Sequence, residues 1–181
     1  NAQLLLSTGF RRVGRPGMGA WLSYGLGSDN ADLPSFVVLA TGNATNAGTA
    51  LWSSGFLPTV HQGVMFRGGG DAVPNLANPD GIADRHRAET IAALSALNQD
   101  HLIDMGDPEI ATRISQYELA FRMQTSVPDL MDISKESPET LALYGADPTK
   151  PSFANNCVLA RRLVERGVRF VQVFLDNWDF H

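Results

Sequence analysis

One continuous segment constrains the fold more than any other: residues Ser152 to His181, where a predicted helix, a tight turn, an apolar strand and a polar cluster follow one another. Ser152 is a predicted N-cap, because its side-chain oxygen can accept a hydrogen bond from a free N–H of the first helical turn. Apolar residues at three- to four-residue spacing predict one buried helix face. That face comprises Val158, Leu159, Leu163 and Val164, and the charged residues Arg161, Arg162, Glu165 and Arg166 are predicted to lie opposite. Gly167 is predicted to end the helix in the left-handed conformation.

A predicted strand follows this helix after a very short turn. The run from Val168 to Leu175 is rich in β-branched and aromatic residues and hardly alternates with polar ones. Such a run is typical of a strand that is covered on both faces. A strand directly behind a helix predicts an α/β layered domain.

The polar cluster after this strand contains the candidate site. Open α/β sheets bind their ligands at the carboxyl ends of the strands. Asp179 and His181 lie there, two residues apart, and supply a carboxylate oxygen and an imidazole nitrogen. This donor pair suits borderline divalent metals, so we predict a metal site at Asp179 and His181. On chemistry alone, a solvated loop or tail is the commoner explanation of an Asp-aromatic-His sequence at a chain end.

The rest of the chain alternates predicted helices and short strands. Helices are predicted over residues 2–8, after Pro16 up to Gly25 or Gly27, from Asp80 to Gly106, from Asp107 to Pro128, and from Ser137 to Gly145; strands are predicted over 36–39 and 64–66. The two long central helices are expected to form a hairpin or to cover a sheet face, and we predict a helical insertion over about residues 80–145. The loop of residues 41–50 follows a strand, which places it near the same ligand edge.

Composition excludes several classes of protein. The chain has 181 residues and a net charge of −5 with no block of Lys or Arg, so neither a nucleic-acid surface nor an anionic membrane surface is indicated. No apolar run approaches the roughly 20 residues of a spanning helix. Cys157 is the single cysteine and is predicted to be a small core residue.

The chain starts at Asn1 without a leader pattern and ends on a candidate ligand, which predicts a piece of a longer protein.

Several segments together resemble a known family. They are Gly14 to Ser28, Leu33 to Leu39, Trp52 to Pro58, Tyr117 to Gln124 and Ala160 to Val173. In this order they are similar to the bacterial domain-of-unknown-function family 1501, which is grouped with the alkaline phosphatase and sulfatase superfamily and is abundant in planctomycetes and related marine bacteria. The resemblance covers nearly the whole chain.

The resemblance implies an incomplete alkaline-phosphatase-like layered domain over residues 1–181, in an exported protein. Trp178, Asp179 and His181 match a Trp-Asp-x-His motif of that family. The implied cofactor is a divalent metal, zinc, manganese or calcium, and the implied substrate is a small phosphate or sulfate ester. The family's Gly-Gly-x-Ser nucleophile region and its later acidic and histidine-bearing segments have no counterpart here. The chain alone is therefore expected to be inactive and, because its sheet lacks neighbouring strands, to self-associate.

Three function classes remain from the sequence. The first is the metal-dependent hydrolase, and the second is a non-catalytic exported binding or surface protein that retains the fold. The third is a nucleotide-binding module, which depends only on the glycine-rich turn from Gly14 to Gly19. The spacing of those glycines matches neither the dinucleotide fingerprint nor the Walker pattern.

Overall fold

A computed structural model describes residues 2–42, 47–67, 72–73, 78 and 81–175. That part of the chain forms a mixed α/β fold with six α-helices and three strands. The helices are α1 (Ala2–Thr8), α2 (Met18–Leu26), α3 (Asp84–Met105), α4 (Pro108–Met131), α5 (Pro138–Tyr144) and α6 (Phe153–Glu165); the strands are β1 (Phe36–Ala40), β2 (Val64–Arg67) and β3 (Phe170–Phe174). Both strands predicted upstream of the long helices and the predicted α/β class are confirmed.

The three strands form a parallel sheet in the order β2-β1-β3. Val37 of the central strand β1 pairs with Val64 of β2 on one side and Val171 of β3 on the other. Parallel strands need crossover connections, and here the crossover from β2 to β3 contains the four helices α3 to α6. The sheet is therefore assembled from segments far apart in the sequence.

Two apolar cores cover the two faces of the sheet. Successive side chains of a strand point to opposite faces. Val37 and Leu39 accordingly face a core built with α4 and α6, whereas Phe36 and Val38 face a second core. The first core also contains Phe66, Met123, Val127, Leu130, Val158, Leu159 and Leu163, and the second contains Leu4, Leu51 and Trp52. The result is a layered arrangement with the sheet between two sets of helical segments.

Two parts of the prediction for the terminal unit are wrong. Val164 lies exposed and not on the buried face of α6, and Arg162 is buried and not on a solvated face. The Arg162 guanidinium reaches Glu136 at 2.7 Å and the carbonyl oxygen of Asp129 at 2.9 Å, so polar partners on neighbouring elements compensate its burial. β3 is covered on both faces as predicted, but its residues are only half-buried, because β3 lies at one edge of the described sheet.

Pro128 does not end α4, contrary to the sequence prediction. The helix continues through Pro128 to Met131. A proline inside a helix removes one backbone hydrogen bond. Here Val127 and Leu130, on either side of the proline, are fully buried in the first core, and this burial offsets the lost hydrogen bond.

The helix boundaries predicted from capping residues are confirmed at three starts. The side chains of Asp107, Ser137 and Ser152 accept hydrogen bonds from N–H groups in the first turns of α4, α5 and α6. Gly167 adopts the predicted left-handed conformation after α6, with φ of 86°. Local signals were therefore sufficient where a helix end is determined by its own side chains.

The long helices α3 and α4 form the predicted hairpin. No residue of α3 is buried, and its Leu94 and Leu97 lie exposed. In α4 the buried residues lie near its carboxyl end, at Met123, Val127 and Leu130. No helix in the described part of the chain is long and apolar enough to cross a bilayer.

Candidate functional site at the carboxyl edge of the sheet

The carboxyl ends of β1, β2 and β3 lie at one edge of the sheet because all three strands are parallel. Ala40 pairs with Arg67 on one side and with Phe174 on the other. The next residue of β1, Thr41, continues this contact, since its N–H donates to the carbonyl oxygen of Phe174 at 3.3 Å. The chain therefore leaves β3 beside the start of the loop that follows β1.

Asp179 and His181, the predicted metal ligands, lie outside the described residues. The described residues end at Leu175, one residue beyond the end of β3. The metal site therefore stays a prediction. Within the described ranges, no three His, Cys, Asp or Glu side chains are grouped so that they could hold a metal ion.

A polar contact between Thr41 and Asn156 lies at this edge. Asn156 is buried in the first turns of α6, and its Nδ2 donates to Thr41 Oγ1 at 3.1 Å. The neighbouring Asn155 accepts from the N–H of Asp147 and donates to the carbonyl oxygens of Asp147 and Lys150. The asparagine pair therefore fixes both the loop after β1 and the segment that leads into α6.

Sequence reasoning placed the loop of residues 41–50 near this edge but missed Asn156. Residues 43–46 of that loop lie outside the described residues, while Thr41 lies at the edge as expected. A signal for Asn156 was present, because two adjacent asparagines interrupt the otherwise apolar face of α6. Buried amides are retained where they have hydrogen-bond partners, which only the folded structure identifies.

A second polar cluster lies before the amino ends of the strands. Ser23 of α2 is buried, and its Oγ is 2.6 Å from Ser35 Oγ and 2.9 Å from His61 Nδ1. Burial lowers the pKa of the His61 imidazole. His61 therefore has Ser23 as its hydrogen-bond partner, and Ser23 in turn contacts Ser35.

This serine–histidine contact differs from a nucleophile and its base. A nucleophilic hydroxyl must reach a substrate, whereas Ser23 is buried and already hydrogen-bonded on two sides. Ser35 immediately precedes β1, and His61 ends a 3₁₀ turn before β2. The cluster therefore connects α2 to the segments that enter two strands, and its role is structural.

The glycine-rich turn before α2 is a packing element. The N–H of Gly17 donates to the carbonyl oxygen of Ser53 at 2.9 Å, so it is already paired within the protein. A Cβ on Gly19 would lie 2.6 Å from the Phe170 ring and 2.7 Å from the Phe36 ring. The turn follows α1, whereas the phosphate-binding motifs follow a strand. Gly19 allows α2 to approach the sheet closely, and the nucleotide-binding interpretation has no structural support.

Cys157 has the properties of a structural thiol. It lies half-buried in α6, and burial raises its pKa. A reactive cysteine needs a lowered pKa, because the thiolate is the nucleophile. The predicted core position is wrong, because Cys157 is only half-buried and belongs to neither of the two apolar cores.

A cavity of about 310 Å³ lies beside β2. The sheet side of its wall is formed mainly by residues that precede β1 and β2, including Pro34, Gln62 and Gly63, and α4 closes the opposite side with Leu119 and Met123. The cavity therefore lies toward the amino ends of these strands. It is separate from the edge where Asp179 and His181 follow β3.

The described residues define a mixed α/β protein built on a parallel sheet. The chain belongs to the family described as Protein of unknown function (DUF1501), whose model matches residues 1–181. This match confirms the family resemblance noted from the sequence. Searches of curated proteins and of solved structures found no match.

Proposed function

We propose that this chain contributes to a metal-dependent hydrolase of phosphate or sulfate esters with the layered fold of the alkaline phosphatase and sulfatase superfamily. The observation that supports this proposal most directly is the shared carboxyl edge of the sheet. Asp179 and His181 follow the end of β3 by five and seven residues, at the edge where open α/β sheets bind ligands.

The donor set suits zinc or manganese better than calcium. Calcium prefers an all-oxygen shell, whereas zinc and manganese accept an imidazole nitrogen beside a carboxylate oxygen. When bound, such an ion would polarise the ester oxygens. Asp179 and His181 would hold it, and Asn156 would keep the Thr41 hydroxyl at the same edge, where that hydroxyl can bind an ester oxygen.

A catalytic zinc site normally has three protein ligands and one open position, whereas this site would have two protein ligands. We therefore propose that the 181-residue chain binds metal but hydrolyses phosphate and sulfate esters at no substantial rate. Export from the cell is part of the same proposal and derives from the family resemblance.

The test is the metal content of the purified chain after dialysis, measured by inductively coupled plasma mass spectrometry. The double variant Asp179→Ala/His181→Ala is compared with the matched control Asp100→Ala/His101→Ala, which removes the same residue types from the exposed surface of α3. We expect zinc or manganese near one ion per chain in the wild type and in the control, and its loss from the first variant. Equal metal in all three proteins, or none in the wild type, would contradict the site.

Hydrolysis of p-nitrophenyl phosphate and p-nitrophenyl sulfate by the same preparations tests the proposal that the 181-residue chain has no substantial hydrolase activity. Substantial turnover by the wild-type chain would contradict the proposal that the chain alone is inactive. A metal-free, inactive wild type would favour a non-catalytic exported binding or surface protein. The cavity beside β2 supports that second candidate, because it offers a binding site that needs no metal.

A further inference from the structure

The cavity beside β2 has an apolar wall and a polar rim. Its volume of about 310 Å³ falls at the lower end of the range of small-molecule pockets, roughly 300–1,000 Å³. Val64, Leu119 and Met123 form much of the apolar wall. Thr59, Gln62, Arg87 and Gln116 supply the polar groups. An apolar cavity with a few polar groups is the usual form of a binding site for a small organic molecule.

A hydrogen bond fixes two sides of the cavity relative to each other. Gln116 of α4 donates from Nε2 to Thr59 Oγ1 at 3.1 Å. Thr59 begins the 3₁₀ turn that leads into β2, so this bond connects the helix wall to the strand wall. The cavity is thus held open between two elements whose spacing is defined.

Arg87 is the exceptional residue of the cavity. Six arginines in the described part of the chain are buried or half-buried, and five of them, Arg122, Arg161, Arg162, Arg166 and Arg169, pair with a carboxylate. Arg87 is half-buried and has no carboxylate partner among the described residues. Among the described residues, no Asp, Glu or Lys lines the cavity either, so Arg87 places at its polar rim one positive charge that no described carboxylate pairs with.

We propose that this cavity binds a small apolar monocarboxylate, such as a medium-chain alkyl or an aryl carboxylate. The planar guanidinium of Arg87 matches a carboxylate in a two-point hydrogen-bonded pair. A phosphate monoester dianion would need a second positive charge, which the described lining residues do not supply. The apolar wall takes the hydrocarbon body, since removing it from water is favourable.

This site is independent of the proposed metal centre. It lies toward the amino ends of β1 and β2, whereas the predicted ligands follow the carboxyl end of β3 in the sequence. Its ligand is therefore recognised without metal, and an experiment in the presence of a chelator separates the two proposals.

The test is isothermal titration of the 181-residue chain with octanoate, in buffer containing EDTA and below the micellar range of the ligand. Three variants are compared with the wild type. Arg87→Gln removes the charge, Ala120→Phe fills the cavity, and Arg113→Gln removes an exposed arginine of α4 that does not line the cavity. Circular dichroism confirms that each variant is folded.

We expect saturable binding of octanoate by the wild type and by Arg113→Gln. A hydrogen-bonded charge pair accounts for roughly a tenfold to hundredfold change in affinity, so Arg87→Gln should weaken binding by that factor. Ala120→Phe should abolish it. The neutral analogue 1-octanol should bind the wild type as weakly as octanoate binds Arg87→Gln.

Four results would overturn the proposal. They are the absence of saturable binding by the wild type, equal losses in Arg87→Gln and Arg113→Gln, equal affinity for octanoate and 1-octanol, and unchanged binding in a folded Ala120→Phe variant. Tighter binding of octyl phosphate than of octanoate would overturn the assignment to a carboxylate.

Discussion

Helices α3 and α6 show how differently two helices of one chain can be stabilised. α6 has 13 residues, of which six are buried, whereas α3 has 22 residues and none of them is buried. The buried apolar residues of α6 form one stripe against the sheet, while the apolar residues of α3 are spread around the helix. Among the described elements, α3 packs mainly beside α4. Helix length is therefore a poor guide to how much a helix contributes to the core.

The largest expected difference between the two helices concerns single leucines. Leu163 of α6 is fully buried, so Leu163→Ala should lower the free energy of unfolding by roughly 2–5 kcal/mol. Leu97 of α3 is 53% exposed, and Leu97→Ala should change that free energy by only about 0.5 kcal/mol. Urea unfolding followed by circular dichroism measures both. Equal losses would show that α3 is part of the core.

The next difference concerns ion pairs. Glu136 accepts hydrogen bonds from Arg161 at 2.6 Å and from Arg162 at 2.7 Å against α6, so Glu136→Gln should cost about 1.5–3 kcal/mol. The Arg85–Glu89 pair of α3 is exposed, with 3.6 Å between its charged atoms, and Glu89→Gln should cost about 0.3–0.5 kcal/mol. The same unfolding assay tests the pair of variants.

The pH dependence of stability further tests the contribution of the Glu136 ion pairs. Burial alone would raise the pKa of the Glu136 carboxyl, but the hydrogen bonds and charges of Arg161 and Arg162 outweigh it and lower the pKa. A carboxyl with a lowered pKa in the folded state stabilises the fold above its unfolded pKa, and this contribution disappears as the pH falls through the folded pKa. The stability difference between wild type and Glu136→Gln should therefore be full at neutral pH and shrink below about pH 4, under the ordinary Glu pKa. A difference that grew toward acid pH would contradict this assignment.

The smallest expected difference concerns the helix starts. Ser152 caps α6 by accepting from the N–H of Asn155, and Ser152→Ala should cost about 1 kcal/mol. Ala83 precedes α3 in the extended conformation of an N-cap but provides no side-chain acceptor. Ala83→Asp should therefore stabilise the protein by about 0.5–1 kcal/mol. Thermal unfolding of the two variants checks that stability falls in Ser152→Ala and rises in Ala83→Asp. A loss of stability in Ala83→Asp would contradict the capping geometry.

The candidate sites differ in how far the sequence predicted them. Asp179 and His181 were selected from their residue types and their position after a strand, and they lie outside the described residues. The Thr41–Asn156 contact joins residues 115 positions apart, and no local pattern pairs them. Arg87 likewise became notable only when the structure placed it in a cavity with no carboxylate partner among the described residues.

The sequence by itself determined the features that depend on neighbouring residues. Ser152, Asp107 and Gly167 define helix ends through their own side chains or conformations, and the short apolar runs define the strands. Only the tertiary structure decided which of these elements are buried. Val164 is exposed, Arg162 is buried and α4 continues through Pro128, because burial depends on the elements packed from distant parts of the chain. Local propensity is weak compared with such packing, so the fold class was predictable while the partners of each residue were not.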